Sequence, residues 1–363
     1  MTAEACIPLP LQIVIDDVGW RHGRDGSQEN QPYRTGLDRL HGPADYRAIV
    51  RLGRELGMRP QAVMILGDWD TQNRLRKIPT ASWLGDRWDN SPNVGPWMAE
   101  CAEIIHNNPT HLEVVVHGIM HEYWLNGVLS RAEYHDLNGV MRPRQEIIAR
   151  LDLFFELVEQ HRFGSVPRSL LPPCYCHNFG APGENFAELV QPYGIQSIFS
   201  VFDATGSHTR PLDYEWFGFD RGLIAVQRKH DLFQWNHVAP VPEKAPYGPV
   251  CSMHWPHILH ADPARNGEIV DGWVRVLKPL NQAFDRLLSP STEAFLAQLV
   301  HHTVTTVKVT GDELEVDASE YYRLPWKYRP ELPVTVKVRR ANQIESLQIK
   351  ITSEKPILRQ KLK

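Results

Sequence analysis

The chain is short of several signals that would decide its class at once. No apolar run approaches the roughly 18 residues needed for a bilayer span, so no transmembrane helix is read. Residues 1–11 show neither a basic start nor a long apolar stretch, so no export signal is expected. The five cysteines, Cys6, Cys101, Cys174, Cys176 and Cys251, are odd in number and never spaced C-x-x-C. Reduced thiols in a cytoplasm fit that usage better than a disulfide framework or a zinc knuckle. There is no G-x-G-x-x-G and no Walker loop, so a nucleotide cofactor has no support. A net charge of −4 gives no electrostatic footprint for nucleic acid or an anionic membrane.

The informative residues lie in two segments about a hundred positions apart, IVIDDVGW from 13 and VVVHGIMHEYW from 114. Each starts as a β-branched apolar run and ends in ionisable residues. The first delivers Asp16 and Asp17, the second His117 and His121. Buried strands ending this way would bring both sets to one rim of a parallel sheet, where α/β folds carry their chemistry. One aspartate with two histidines makes a three-ligand divalent-metal site with a coordination position left open, as in catalytic zinc. The other aspartate would then be available as a base. Adjacent residues on a strand point to opposite faces unless the backbone bends, which suits one ligand and one base. The bland alternatives are an acid that caps a loop and two histidines sharing an amphipathic turn.

An apolar strand ending Asp-Asp, followed by one ending His-x-x-x-His, resembles the polysaccharide deacetylase superfamily (NodB homology, carbohydrate esterase family 4). The resemblance covers roughly residues 11–260. It implies Asp16 as catalytic base, with Asp17, His117 and His121 as metal ligands. It also implies a late strand carrying a histidine that protonates the leaving group. His254, in VCSMHWPHILH at 250–260, matches that place, with His257 and His260 as nearby competitors. The first motif reads Val-Ile-Asp-Asp-Val-Gly where the family usually has Thr-Phe-Asp-Asp-Gly, which points to a divergent branch.

Short apolar runs at 11–15, 62–66, 112–116, 169–171, 196–201, 223–226 and 250–253 are separated by helix-like stretches. That rhythm predicts an α/β fold of repeated β/α units. Seven strands make an incomplete (β/α)7 barrel, as the resemblance also implies. Helices are predicted at 44–56, 97–106, 143–160 and 184–189, with helical character again at 268–288 and 291–301. From about 303 the pattern changes to polar-apolar alternation at 304–310, 313–317, 334–340 and 347–352, with 321–333 as loop. Residues 1–302 are thus expected as the barrel domain and 303–363 as a small antiparallel β module.

Further candidates sit at other strand ends. Asp68 and Trp69 in LGDWD, Trp124, Tyr175 and His177 in LLPPCYCHN, Asp203 in VFDAT and Trp255 are expected to face substrate. Cys174 with His177 as its base is a weaker nucleophile reading. The expectation is a metal-dependent hydrolase that removes an acetyl group from an N-acetylated sugar or a related small amide. Zinc is the first metal, with cobalt, nickel or manganese as alternatives. The runners-up are a metal-free C–N hydrolase of the same superfamily and a non-catalytic carbohydrate-binding protein. The expected partner is a small-molecule or carbohydrate substrate, with neither nucleic acid nor membrane. Self-association through the β module stays open.

Overall fold

The computed structural model describes residues 3–24, 34–202, 209–228, 238–341 and 343–362. After β1 (Glu4–Cys6), three strands alternate with helices: β2 (Leu9–Val18), α1 (Pro43–Leu56), β3 (Gln61–Ile65), α2 (Pro96–His106) and β4 (Glu113–Gly118). A hairpin of β5 (Tyr123–Leu125) and β6 (Val128–Ser130) precedes α3 (Arg144–Gln160), β7 (Ser169–Leu170), α4 (Phe186–Val190) and β8 (Ser197–Ser200). Next come β9 (Phe217–Asp220), β10 (Leu223–Gln227), β11 (Val250–His254), α5 (Asn266–Leu277), β12 (Arg286–Leu288) and α6 (Thr292–Val304). The chain closes with β13 (Thr306–Thr310), β14 (Glu313–Asp317), α7 (Ser319–Arg323), β15 (Val334–Arg340), β16 (Gln343–Ile349) and β17 (Ile357–Lys361).

The main sheet runs β11-β2-β3-β4-β7-β8-β10-β9. Every pairing from β11 to β10 is parallel, and only β9 is antiparallel. Strand β11, late in the chain, therefore returns beside the first parallel strand, β2. This is the strand order of a sheet curled toward a barrel and left open between its two edges, β9 and β11. Among the described residues no ladder joins those two strands. Across that seam Arg228 Nε donates to Ser252 Oγ at 3.1 Å, and the serine hydroxyl donates back to the Arg228 carbonyl at 3.1 Å.

Side-chain parity sorts the core. On β2, Leu11, Ile13 and Ile15 join Ile49, Leu52, Phe154 and other helix residues in an outer layer. Val14 faces the other way, into a second cluster with Val63, Val115, Phe199, Val226 and Val250. That inner cluster is completed by Phe295, Leu299 and Val300 of α6. At the opposite end of the strands from the acid pair, Thr292 of α6 accepts from Gln12 and Gln61 at 2.9 Å each. Its hydroxyl donates to Glu113 at 2.6 Å.

Four of the crossovers follow the β/α expectation. Pro43 opens α1, and Gly57, at φ 64°, closes it, where a left-handed residue costs a glycine little. After β8 the pattern departs from (β/α)7. The β8–β10 connection contains β9, and among the described residues neither it nor the β10–β11 connection contains a helix. The helical reading of 268–288 is corrected as well. The helix ends at Leu277, and Arg286–Leu288 instead pairs in parallel with β2. Strand β17 and helix α7 were not anticipated; Tyr321 of α7 is buried and stacks on His301 with ring centroids 3.8 Å apart.

The C-terminal strands form two three-stranded sheets, β13-β14-β17 and β1-β15-β16. The N-terminal strand thus pairs with β15, matching Cys6 to Lys337, and Ile7 packs with Leu314, Val316, Val334, Val336 and Val338.

Candidate metal centre

The inner-face parity carries past the last apolar residue of each strand. Asp16 follows Val14, His117 follows Val115, Arg228 follows Val226, and His254 follows Ser252 and Val250. All four lie at the C-terminal rim. Asp17 has the wrong parity for this rim. Its φ of 61° and the register shift between Ile15 and Val18 bend the strand and bring its carboxylate back to the same side. His121 likewise has φ 55°, at the end of the turn that follows β4. Non-glycine residues seldom adopt this conformation, and two of them here mark a shaped site.

The result is one cluster of possible cation donors, Asp17, His117 and His121, whose ligand atoms lie within 4.8 Å of one another. His117 Nε2 is 3.3 Å and His121 Nε2 3.8 Å from Asp17 Oδ1. None of these residues, nor Asp16, is more than 3% exposed. His117 Nδ1 lies 2.6 Å from the Leu171 carbonyl, which can only accept, so the proton sits on Nδ1 and Nε2 faces the carboxylate. Apart from that imidazole, Asp17 Oδ1 is buried without a hydrogen-bond donor. Two ring nitrogens converging on one carboxylate oxygen define a point that a cation could occupy, and the donor set is of the kind that suits zinc or a similar ion.

Burial opposes ionisation of Asp17, but the hydrogen bond from His117 and the pull of the surrounding imidazoles outweigh it and hold the carboxyl below its usual range. Burial opposes the His117 cation, and Asp17 overcomes it, so that pKa is raised. Burial pushes His121 down to about 3 against the pull of Asp17, so its ring is neutral and able to ligate.

Asp16 is held differently. Its Oδ2 accepts from Arg228 Nη1 at 2.5 Å and from the Tyr175 hydroxyl at 3.3 Å. The Arg228 guanidinium also lies over the Tyr175 ring, 4.8 Å from its centroid. Tyr175 reaches this place from two consecutive left-handed residues, Cys174 and Tyr175. His254 Nε2 stands 3.6 Å from Asp17 Oδ2 and 3.8 Å from Asp16 Oδ2. Of the three late histidines it is the one beside the acids. His257 Nδ1 accepts the His254 backbone N–H at 3.0 Å, and His260 Nδ1 accepts from the Asp262 N–H at 2.9 Å.

The remaining candidates divide. Asp68 is fully buried and accepts from the Arg21 N–H at 2.8 Å and Arg34 at 3.0 Å, so it organises the loop after β2. Trp69 is a core residue, its indole N–H on the Gly19 carbonyl at 2.9 Å and its ring among Tyr46, Trp97 and Phe163. Trp255 is also fully buried, against His41 and Tyr46. His177 is enclosed by Phe179, Phe186, Phe202 and His135, and burial drives its pKa far down. These four are corrected from substrate-facing to structural; long aromatic and imidazole side chains after a strand pack as readily as they bind. The same burial makes His177 a poor partner for Cys174. Trp124 is half-buried, its indole N–H on Glu122 at 2.6 Å, three residues beyond His121. Asp203 lies outside the described residues.

Sequence reasoning passed over Arg228. The signal was present, since the run at 223–226 also ends in a polar pair, Gln227-Arg228, with the arginine on the inner-face parity.

No protein-family model matches the sequence, and no curated protein matches it. Among solved structures, the chain is similar to a GH57-type branching enzyme from the hyperthermophilic archaeon Pyrococcus horikoshii. The identity is 12%, the TM-score 0.35, and the match covers 81% of this chain and 64% of that one. The chain thus spans less than two thirds of that enzyme's length.

Proposed function

We propose that the chain is a metal-dependent hydrolase of the deacetylase type, removing an acetyl group from an N-acetylated sugar or a related small amide. The observation that carries this reading is the division of labour between adjacent acids. Asp17 shares its oxygen with two imidazoles, while Asp16 is turned to Arg228 and Tyr175. A divalent cation held by Asp17, His117 and His121 would polarise the acyl carbonyl and acidify a water molecule. Asp16, its carboxyl plane fixed by Arg228, takes the water's proton. His254, beside both acids, returns a proton to the departing amine. The seclusion of all these groups from bulk water strengthens each interaction along the way.

The test combines metal analysis with a substrate screen. Purified protein is expected to hold one equivalent of zinc, cobalt, nickel or manganese. His117→Ala and His121→Ala should each lose most of it, because two protein ligands rarely suffice. Metal-loaded protein should release acetate from N-acetylated sugars or small acetamides. Full metal occupancy in both histidine variants would overturn the reading, as would absence of acetate release across the screen.

A further inference from the structure

Glu133 belongs to no strand or helix and has no place in the chemistry above, yet it is buried completely. Its carboxylate lies under the turn that joins His117 to His121. It accepts the backbone N–H of Ile119 at 3.0 and 3.2 Å, that of His121 at 2.9 Å, and that of Met120 at 3.4 Å. Successive amides converging on one anion form a nest, and the left-handed His121 completes its curvature. Gly118 makes the approach feasible, since a Cβ there would meet Glu133 Oε2 at 2.2 Å. Behind the carboxylate stands Arg150 of α3, its Nε 3.4 Å from Oε1 and its own guanidinium donating to Thr80 at 2.8 Å and to the Glu146 carbonyl at 3.2 Å.

We infer that Glu133 is a positioning residue of the metal centre: it grips the 119–121 amides from below and so aims the His121 imidazole at Asp17. The inference rests on the metal-site reading given under the proposed function. Without the carboxylate the turn has three inward N–H groups and no common acceptor. His121 would then relax out of the left-handed region, which a non-glycine residue holds only when its surroundings impose it. Glutamine at this position keeps the shape but offers one accepting oxygen in place of two. Glu122 serves as a matched control, since it is another buried carboxylate beside His121, with its oxygens on Arg131 at 2.8 Å and Trp124 at 2.6 Å instead of the turn.

Cobalt(II) titration of the full chain, followed by its visible absorption, tests this. Glu133→Gln is expected to weaken cobalt binding about 10- to 100-fold, the range for partners that orient a ligand, and to alter the absorption band. Glu122→Gln should leave both near the parent values. If Glu133→Gln fails to fold, Gly118→Ala reports instead, because its methyl group displaces the same carboxylate while leaving the Glu133–Arg150 charges in place; the same loss of affinity is expected. A folded variant of either kind that binds cobalt with the parental affinity and spectrum would overturn the inference alone. Parent protein that binds no cobalt would overturn the metal reading itself.

Discussion

Asp16 and Asp17 differ in sequence position by one and in backbone conformation by the reversal of φ, and that reversal turns their carboxylates to different partners. Asp16→Asn keeps an acceptor for Tyr175 but cannot take a proton. It should retain metal and lose hydrolysis by roughly 10²-fold or more. Metal content and turnover measured on the same sample check this, and loss of metal in Asp16→Asn with retention in Asp17→Asn would mean the roles are exchanged. Asp16 and His117 are legible because each stands directly after a β-branched run, where parity alone predicts the rim, and Asp17 and His121 follow them one and four positions later. Parity alone would also have sent Asp17 to the wrong face; the bend that corrects it depends on a register shift against β3 that a single strand does not reveal. Trp69, Trp255 and His177 mislead for the opposite reason. A place just after a strand suggests exposure, but neighbours distant in sequence cover them.

At the scale of elements, the inner ends of β2, β3 and β4 meet α6 through one polar knot. Glu113 is its acid. Burial pushes its pKa up to about 7, with Glu293 adding to the rise while Arg59 and the Thr292 hydroxyl pull against it. The folded protein therefore keeps a proton that the unfolded chain gives up near its ordinary carboxyl pKa. Stability attributable to this group must fall as pH rises from about 4.5 to about 7. Glu113→Gln stays neutral throughout, so it should be the more stable protein at pH 8, by on the order of 3 kcal/mol at most. Denaturant midpoints of parent and variant, compared from pH 4.5 to 8, would show a converging pair toward low pH; parallel curves would contradict it. A second element-level tie is Lys337 on β15. Its buried ammonium donates to the carbonyls of Asn281, Ala283 and Arg286 at 2.8, 2.6 and 2.6 Å. Lys337→Met strands three carbonyls at once and should lower stability by about 2–4 kcal/mol in equilibrium unfolding, with metal content unchanged. Neither knot was readable from periodicity, because each joins residues more than fifty positions apart.

For the molecule as a whole, the strand rhythm foretold a parallel sheet in chain order, since consecutive β/α units pair with their neighbours. It could not foretell that Glu4–Cys6 would leave that order to pair with β15, because three residues carry no usable period. Nor did it show that the far segment holds on through Gln298, whose side chain bonds the Thr335 N–H at 2.9 Å and its carbonyl at 3.0 Å. Removing residues 305–363 should consequently uncover Ile7, Leu299 and Val300 and lower the melting temperature and solubility. All three proposed metal donors precede residue 122, so cobalt stoichiometry should survive. Melting curves and metal content of the truncated chain test both halves of that statement. The open seam has a consequence of another kind. A ring broken at one point is closed by a clasp, and here the clasp is Arg228 on Ser252. The same guanidinium grips Asp16, and the strand it fastens carries His254 two residues further on. Under the proposed function, proton acceptor and proton donor are thus geared to the circumference of the ring. Loosening it by a fraction of an ångström would disengage both together, so activity should fade under mild heating or denaturant while the hydrophobic layers are still intact.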